Sequence, residues 1–309
     1  MTAPSDASWN EITPTLRAKV LARLSGVTIA DYCCTAGPRD PAVDEAHGAH
    51  SIAIVRSGAF AYRVGASSVP LAPGAVLLGN PGQRFACSHE YTTGDRCLSL
   101  TVSDEVVHDV VARSGLRSRG AIFARPSLAA PAATAVWGAA LGARLAKQTD
   151  ALALESCVYR VIAAVIRANS DLSQHRAKPL DVSPVAARRA AEAMLFIEEH
   201  AAEPLTLGAI AAAADLSPFH FLRLFRRATG MTPHQCLLRA RLRRAGDLLA
   251  ATTTSVTDVA LDAGFADLTN FGRTFRAAAG CAPRAFRSAL DGPRERVRKI
   301  RRVPREPSR

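Results

Sequence analysis

The spacing of apolar residues changes once along the chain, and the change separates two kinds of structure. Between residues 47 and 103, short β-branched and apolar runs alternate with glycine- and proline-containing turns, including Pro73-Gly74 and Asn80-Pro81-Gly82. Short strands at such regular intervals predict a small β-barrel. From about residue 104 onward the apolar residues recur every three or four positions, which predicts helices.

The predicted helices fall into two groups on either side of a polar segment. Residues 171–187 are polar and carry the breakers Lys178-Pro179 and Ser183-Pro184, which is typical of a linker. Only helix signals follow it. The sequence therefore predicts an α+β multidomain protein, with a β-barrel and its helical extension at 1–170, the linker at 171–187, an all-helical domain at 188–290, and a basic disordered tail at 291–309.

Residues 205–283 contain one helical pattern twice, with the copies fifty residues apart. In each copy a phenylalanine follows another by four residues, so both face the buried side of a helix, while an arginine between them points to solvent. A predicted helix at 233–250 joins the copies, and two such units predict a chain that reads two adjacent stretches of DNA. The repeated positions are Arg223, Phe225, Arg226, Gly230 and Pro233 in the first copy, and Arg273, Phe275, Arg276, Gly280 and Pro283 in the second.

Charge and composition favour the same class of partner. The formal net charge is +12, of which residues 1–187 carry +3, residues 188–290 carry +4 and the last nineteen carry +5. Such a balance favours a polyanion, although membrane surfaces and acidic proteins would satisfy it too. No apolar run approaches the roughly 20 residues of a bilayer span and the N-terminus lacks a signal-peptide core, so we expect no membrane association and a cytoplasmic location. The seven cysteines include no Cys-x-x-Cys pair, so neither a disulfide framework nor a zinc ribbon is predicted.

These motifs make the sequence similar to the AraC/XylS family of transcription regulators. The segment from Leu207 through Ser217-Pro218 to Pro233 resembles the family's first helix-turn-helix, and the segment from Val259-Ala260 to Pro283 resembles its second. The N-terminal half resembles the cupin-like sensor barrel that many members carry before the DNA-binding domain. The resemblance implies a double helix-turn-helix that binds double-stranded promoter DNA, contact with RNA polymerase, an effector of unknown identity, and a homodimer.

The candidate DNA-binding residues lie on the second helix of each motif. Arg223 and Arg273 are suited to guanine and Asn270 to adenine, while His220 and Thr269 are secondary readers. Arg226, Arg227 and Arg276 fit phosphate anchors or solubilising charges. Phe219 and Leu268 stand where the family often has polar residues, so contact with thymine methyl groups replaces some hydrogen bonding. The full set is Phe219, His220, Arg223, Arg226, Arg227, Leu268, Thr269, Asn270, Arg273 and Arg276.

Two further groups of residues leave alternatives open. The connecting-helix arginines either reach the DNA backbone or form a solvated face; they are Arg239, Arg241, Arg243 and Arg244. The apolar face of residues 151–169 either pairs two chains or packs within one, and we expect the former.

The ligand-type residues of the predicted barrel are His47, His50, Cys87, His89 and Cys97. Two residues separate His47 from His50, whereas the metal-binding histidines of cupins follow an H-x-H pattern with one residue between them. No carboxylate accompanies the pair either, so we expect neither a metal nor another cofactor. These residues either pack the barrel, line an effector pocket or form a thiol sensor, in which a neighbouring histidine or an arginine, Arg84 or Arg96, stabilises a thiolate.

The sequence as a whole predicts a sequence-specific DNA-binding transcriptional regulator, a small-molecule-responsive activator with no catalytic residues. The alternative is a cupin-type metal-dependent enzyme with an appended helical domain, which would require convergent metal ligands. An architectural DNA binder without an effector is a third possibility, which the size of the N-terminal half disfavours.

Overall fold

A computed structural model describes residues 9–115, 121–147, 150–173 and 182–290. The predicted basic tail, residues 291–309, and the middle of the predicted linker lie outside the described residues. The strands of the described part are β1 (Asn10–Thr13), β2 (Leu16–Leu24), β3 (Val27–Cys34), β4 (Val43–Ala46), β5 (His50–Gly58), β6 (Phe60–Val64), β7 (Ser67–Leu71), β8 (Val76–Gly79), β9 (Arg84–Ser88), β10 (Asp95–Val102) and β11 (Ser127–Leu128).

The strands form two antiparallel sheets that make up a β-barrel. One sheet has the order β1-β2-β3-β10-β5-β8-β11, and the other has the order β4-β9-β6-β7. Strand β10 lies between β3 and β5, and its first residue, Asp95, is directly opposite Cys34 on β3. Apolar side chains such as Ile29, Ile52 and Leu100 are fully buried, as expected where alternate residues of each strand face the interior. The predicted barrel is confirmed, and it begins earlier in the chain than the strand pattern at 47–103 indicated.

The helices of the described part follow the strands. They are α1 (Asp104–Arg113), α2 (Ala132–Lys147), α3 (Ala151–Ser173), α4 (Pro184–Glu199), α5 (Leu207–Ala213), α6 (Pro218–Thr229), α7 (Pro233–Ala251), α8 (Val256–Asp262), α9 (Leu268–Ala279) and α10 (Pro283–Leu290). Among the described residues, none of these helices is both long and apolar enough to cross a lipid bilayer.

Local capping chemistry fixes where the C-terminal helices begin and end. The side chains of Thr206, Ser217 and Asp267 accept hydrogen bonds from the first turns of α5, α6 and α9. Gly230 and Gly280 end α6 and α9 with φ of 75° and 78°, in the left-handed region that glycine tolerates.

Two helix starts predicted from the sequence were wrong. The sequence predicts Thr257 as the N-cap of a helix at 258–263, but α8 begins at Val256 with Ser255 as its N-cap, so Thr257 lies within the first turn. Helix α4 begins at Pro184, with the Ser183 side chain accepting from Ala186 N–H. Ser183-Pro184 had been interpreted as a break in the linker. The same pair suits an N-cap followed by proline at the first helical position, where the missing N–H costs nothing.

The apolar face of α3, which we had expected to pair two chains, lies inside one chain. It packs against α1 and α2 and belongs to the largest core cluster; its members are Leu154, Cys157, Val158, Val161, Ile162, Val165 and Ile166. This face is therefore not available to a second chain, and the expectation that the stripe itself makes a dimer is wrong. The helical periodicity of α3 was predicted correctly. A helix that packs within one chain has the same kind of apolar face as a helix that pairs two chains, so the sequence does not distinguish them.

Helix α2 packs along α7, so the barrel half and the helical C-terminal half share one continuous core. The close approach depends on Gly246, where a Cβ atom would lie 3.1 Å from the carbonyl oxygen of Val136. Arg144 on α2 donates to the carbonyl oxygens of Ala289 and Leu290, both at 2.9 Å. The two halves are thus held together by apolar packing and by hydrogen bonds to carbonyls at the end of α10.

Candidate nucleic-acid interface and barrel cavity

Helices α6 and α9 are built alike, with one buried aromatic face and one exposed basic face. On α6 the rings of Phe221 and Phe225 lie 5.4 Å apart and both side chains are completely buried. On α9 the rings of Phe271 and Phe275 lie 5.6 Å apart and are likewise buried. The four-residue spacing places each pair on one side of its helix. The opposite side of each helix is consequently turned away from the core.

The predicted DNA-binding residues lie on these outward faces. Phe219 is 72% exposed and Leu268 is 45% exposed, although large apolar side chains are more often buried. Asn270 is half-buried, and the other predicted readers and anchors are exposed: His220, Arg223, Arg226, Arg227, Thr269, Arg273 and Arg276. Among the described residues, the barrel half does not cover either face, although it packs closely on the same domain.

Several of these side chains contact one another. The Arg273 guanidinium donates to Oδ1 of Asn270 at 3.2 Å, and Thr274 Oγ1 donates to the same oxygen at 3.4 Å. The Arg223 guanidinium carbon lies 5.8 Å from the centre of the Phe219 ring, within the range of a cation–π contact. These contacts orient the two arginines along their helices and leave the guanidinium groups exposed.

The connecting-helix arginines bond to other groups of the protein, a role that neither of the two predicted alternatives included. Arg239 donates to the carbonyl oxygens of Ala129 and Ala130, both at 2.7 Å. Each of the other three also has a partner inside the protein: Arg241 donates to the carbonyls of Ala201 and Glu203, Arg243 pairs with the carboxylate of Glu198, and Arg244 donates to the carbonyl of Asp262. A contact that spans a hundred residues of sequence leaves no signal in the helix pattern.

Replacement of Arg239 separates the structural role from a DNA contact. Ala130 has φ of 37°, a conformation that non-glycine residues rarely adopt, and its carbonyl oxygen is held by Arg239. Arg239→Ala removes both hydrogen bonds, so we expect the free energy of unfolding to fall by about 1–3 kcal/mol. DNA affinity and its salt dependence should stay unchanged in titrations followed by fluorescence anisotropy. A salt slope reduced by about 1 with unchanged stability would instead indicate a phosphate contact.

The comparisons with known proteins agree with this geometry. Residues 210–289 match the family described as "Helix-turn-helix domain". The HTH-type transcriptional activator RhaS of Escherichia coli is 35% identical over 99 residues, which are 32% of this chain and 36% of that relative. Residues 210–289 form an AraC-type helix-turn-helix domain. The chain spans about a third of the relatives it matches, so the match concerns the AraC-type domain.

Solved structures of DNA-binding domains are also similar to part of this chain. The DNA-binding domain of AdpA in complex with a target DNA is 33% identical and covers 35% of this chain and 97% of its own, with a TM-score of 0.33. A transcriptional regulator with an AraC-type DNA-binding domain from Chromobacterium violaceum is 31% identical and covers 34% and 94%, with a TM-score of 0.32. The matches to the helix-turn-helix family and to the transcriptional activator RhaS do not favour the alternative of a cupin enzyme.

The barrel encloses a cavity of about 390 Å³. Four of the five predicted sensor residues line it: His47, Cys87, His89 and Cys97. His50 does not. Its Nε2 lies 3.2 Å from Oδ1 of Asp104 at the start of α1, and its ring packs edge-on against Phe123. The two histidines that a cupin metal site would bring together therefore point to different places, and this pair holds no metal in common.

His47 is a buried, neutral histidine. Its ring stacks on Phe85 with centroids 4.2 Å apart, and Nε2 lies 3.2 Å from the Tyr62 hydroxyl, a hydrogen bond whose direction depends on the tautomer. Burial penalises the charged imidazolium and lowers the pKa of His47 to about 4. The aromatic neighbours and the neutral ring make this end of the cavity suited to an uncharged or aromatic ligand.

The lowered pKa of His47 makes stability depend on pH. Because the ordinary value is 6.5, the unfolded chain takes up a proton first as the pH falls. The contribution of neutral His47 is complete above about pH 6.5 and is lost as the pH falls toward about 4. In His47→Gln, which keeps a polar group toward Tyr62, urea denaturation should show about 2–3 kcal/mol less loss between pH 7.5 and pH 4.5 than in the wild type. Parallel losses in both proteins would contradict this assignment.

The structure does not support a thiolate sensor. Arg84 pairs with Asp44 and Arg96 pairs with Asp31, so neither arginine is directed at a thiol. Burial, reinforced by the Asp95 charge, raises the pKa of both Cys87 and Cys97. Both groups are therefore thiols at neutral pH, and the hypothesis that an arginine stabilises a thiolate there is wrong.

Two residues of the cavity wall were missed by the sequence analysis, namely Cys34 and Asp95. Oδ1 of Asp95 lies 2.6 Å from His89 Nε2, and Oδ2 accepts a hydrogen bond from the Cys97 thiol at 3.2 Å. Burial alone would lower the pKa of His89, but the hydrogen bonds and charge of Asp95 and Cys34 raise it to about 9. The sequence predicts a turn at Thr93-Gly94-Asp95, so Asp95 is not among the candidate ligands. Its position two residues before Cys97 was a usable signal, whereas the approach of Cys34 depends on the pairing of β3 with β10.

Proposed function

We propose that the chain is a sequence-specific DNA-binding transcriptional regulator whose barrel cavity binds a small-molecule effector. The observation that carries the proposal is the pair of matching exposed faces on α6 and α9, each with an arginine at the same offset, in a domain of the AraC type. We further propose that it activates transcription at promoters in the cytoplasm, in contact with RNA polymerase, as the E. coli relative's description as a transcriptional activator suggests.

The connecting helix supports simultaneous reading by both faces. Helix α7 has 19 residues, and at about 1.5 Å per residue it is about 28 Å long. Successive major-groove segments on one face of a duplex lie roughly 34 Å apart. The arginines of α7 bond to the rest of the protein, which braces this helix as a spacer. Arg223 and Arg273 would each read guanine from successive segments, while Phe219 and Leu268 contact thymine methyl groups.

The cavity and the domain interface support a role for an effector. A volume of about 390 Å³ lies in the range of sites that hold small molecules. The barrel reaches the DNA-binding half through α2, which packs along α7. A ligand that binds two arrangements of this interface with different affinity would shift the chain between them and change its binding to DNA.

We also propose that the chain acts as a homodimer, through a surface other than the buried face of α3. Leu152 on the outer side of α3 is 73% exposed. Together with Tyr159 and residues of α1 it borders a surface groove. The groove lies on the outer surface of α1 and α3, and we propose that this surface meets a second chain.

The test of the proposed function is selection of duplexes from a random pool by the full-length chain, followed by anisotropy titrations at several salt concentrations. We expect one enriched sequence with two conserved elements about one helical turn apart and an affinity that falls steeply with salt. Binding that is equally strong on scrambled duplexes would show that the faces of α6 and α9 do not read sequence.

A further inference from the structure

Three potential metal ligands from different parts of the barrel meet at one point of the cavity wall. Cys34 ends β3, His89 follows β9, and Asp95 begins β10. Their sulfur, nitrogen and oxygen ligand atoms all lie within 4.8 Å of one another. Cys34 and His89 are 7% and 4% exposed, and the Asp95 side chain is 10% exposed.

We propose that Cys34, His89 and Asp95 bind one divalent ion with the ligand preferences of zinc. Thiolate, imidazole and carboxylate are the three donor types that zinc takes in proteins, at about 2.0–2.3 Å. Those bond lengths place the donor atoms of a tetrahedral site about 3.3–3.6 Å apart. The three donor atoms therefore reach this geometry by movements of about an ångström, in which the hydrogen bond between His89 and Asp95 is exchanged for two bonds to the ion.

The surrounding residues hold the three ligands in place. The Cys97 thiol donates to the second carboxylate oxygen of Asp95 at 3.2 Å and so orients that carboxylate. Two glycines with positive φ bring the strands close at this point. A Cβ atom at Gly58 would lie 2.2 Å from the carbonyl oxygen of Gly94, and one at Gly94 would lie 2.8 Å from the carbonyl oxygen of Cys34. The backbone at the cluster therefore has no room for side chains at these two positions.

An ion pair between His89 and Asp95 would account for those two residues alone. It gives no reason for a buried sulfur at the same point, because a histidine and a carboxylate already satisfy each other's charge. All three residues line the cavity. Three protein ligands leave one coordination position of a tetrahedral ion open, and here that position would lie beside the cavity. A small molecule with a nitrogen, sulfur or carboxylate donor would occupy it.

The test uses the full-length wild-type chain, stripped of metal with a chelator and titrated with Co²⁺ as a spectroscopic substitute for Zn²⁺. We expect one equivalent to bind, with a thiolate-to-cobalt charge-transfer band and the intense visible bands of a tetrahedral ion. Competition with Zn²⁺ should remove the bands. A spectrum of six-coordinate cobalt without the charge-transfer band, or no uptake, would overturn the proposal.

A pair of adjacent cysteines supplies a matched control. Cys34→Ser removes the proposed ligand, whereas Cys33→Ser makes the same change one residue away, on the other face of β3 and outside the cavity lining. Loss of groups that merely orient a ligand lowers metal affinity by about 10–100-fold, so Cys34→Ser should lower it at least tenfold and abolish the charge-transfer band, while Cys33→Ser should change neither. Equal binding by both variants would assign the ion to another site.

The result does not depend on the proposed DNA-binding function. Metal uptake is measured without DNA, and selection of duplexes is measured without added metal. A chain that binds DNA but no cobalt overturns the metal site alone, and the reverse result overturns only the regulator. If Cys34→Ser fails to fold, as judged by circular dichroism, the wild-type cobalt spectrum still decides whether a sulfur ligand is present.

Discussion

The double variant Arg223→Ala, Arg273→Ala is expected to lose about 2–6 kcal/mol of specific DNA-binding free energy. Each arginine pairs with a guanine in the proposed complex, and one good bidentate pair discriminates by about 1–3 kcal/mol. The two side chains lie on separate helices, α6 and α9, and share no hydrogen-bond partner among the described residues, so their losses should add. Anisotropy titrations with the selected duplex measure the change.

The single variants and a distant control make this prediction specific. Each single variant should lose about half of the total and relax base preference in only one of the two sequence elements. Arg23→Ala makes the same change in charge on β2 of the barrel half, where Arg23 donates to Oγ1 of Thr28, and should leave binding unchanged. If the double variant weakens binding to scrambled and selected duplexes by the same factor, both arginines contact phosphate and the proposed readout of bases is wrong.

The AraC-type domain was predictable from sequence because the forces that shape it are local. Caps such as Ser217 and Asp267, the glycines that end α6 and α9, and the Phe-x3-Phe spacing act within a few residues of sequence. Each of these features occurs in both copies of the repeat. Prediction failed within this domain at the starts of α4 and α8, although a capping serine is present at each; at α4 the signal at Ser183-Pro184 was assigned to a linker.

The partners of the connecting-helix arginines and the residues of the barrel cavity could not be predicted in the same way. Arg239 bonds to carbonyls more than a hundred residues away, and nothing in a helical pattern distinguishes such an arginine from a solvated one. Cys34 meets Asp95 only because β3 and β10 pair in one particular register. A shift by one residue would turn Cys34 to the other face of the sheet. The sequence therefore identified candidate ligand residues by their chemical type, but it did not identify which of them lie close together in the folded protein.

The structure also joins the two halves more closely than the division into sequence segments indicated. The ring of Trp137 on α2 lies 4.9 Å from that of Phe286 on α10, which in turn packs against Phe275 on α9. Helix α9 is thus connected to the barrel half through three aromatic side chains. A change at the barrel that moves α2 would be transmitted to α9 through this contact, since packed interiors respond to small displacements.

Phe275→Ala should therefore cost about 3–5 kcal/mol of folding stability, the usual range for removing a buried phenyl ring. Phe275 is completely buried, with the rings of Phe271 and Phe286 at 5.6 Å and 5.2 Å. Urea denaturation followed by tryptophan fluorescence measures the loss, because Trp137 packs on Phe286 and reports on this cluster.

Phe219→Ala is the matched control, because it makes the same chemical change on a side chain that is 72% exposed. Surface substitutions of this kind usually alter stability by less than about 0.5 kcal/mol. We expect Phe219→Ala to keep the wild-type urea midpoint and to weaken binding to the selected duplex, whereas Phe275→Ala shifts the midpoint. If Phe275→Ala unfolds at the wild-type midpoint, the aromatic cluster does not support α9. If Phe219→Ala binds the selected duplex as tightly as the wild type, the exposed ring of α6 makes no contact with DNA. The two phenylalanines thus test the buried and the exposed sides of the repeated helix separately.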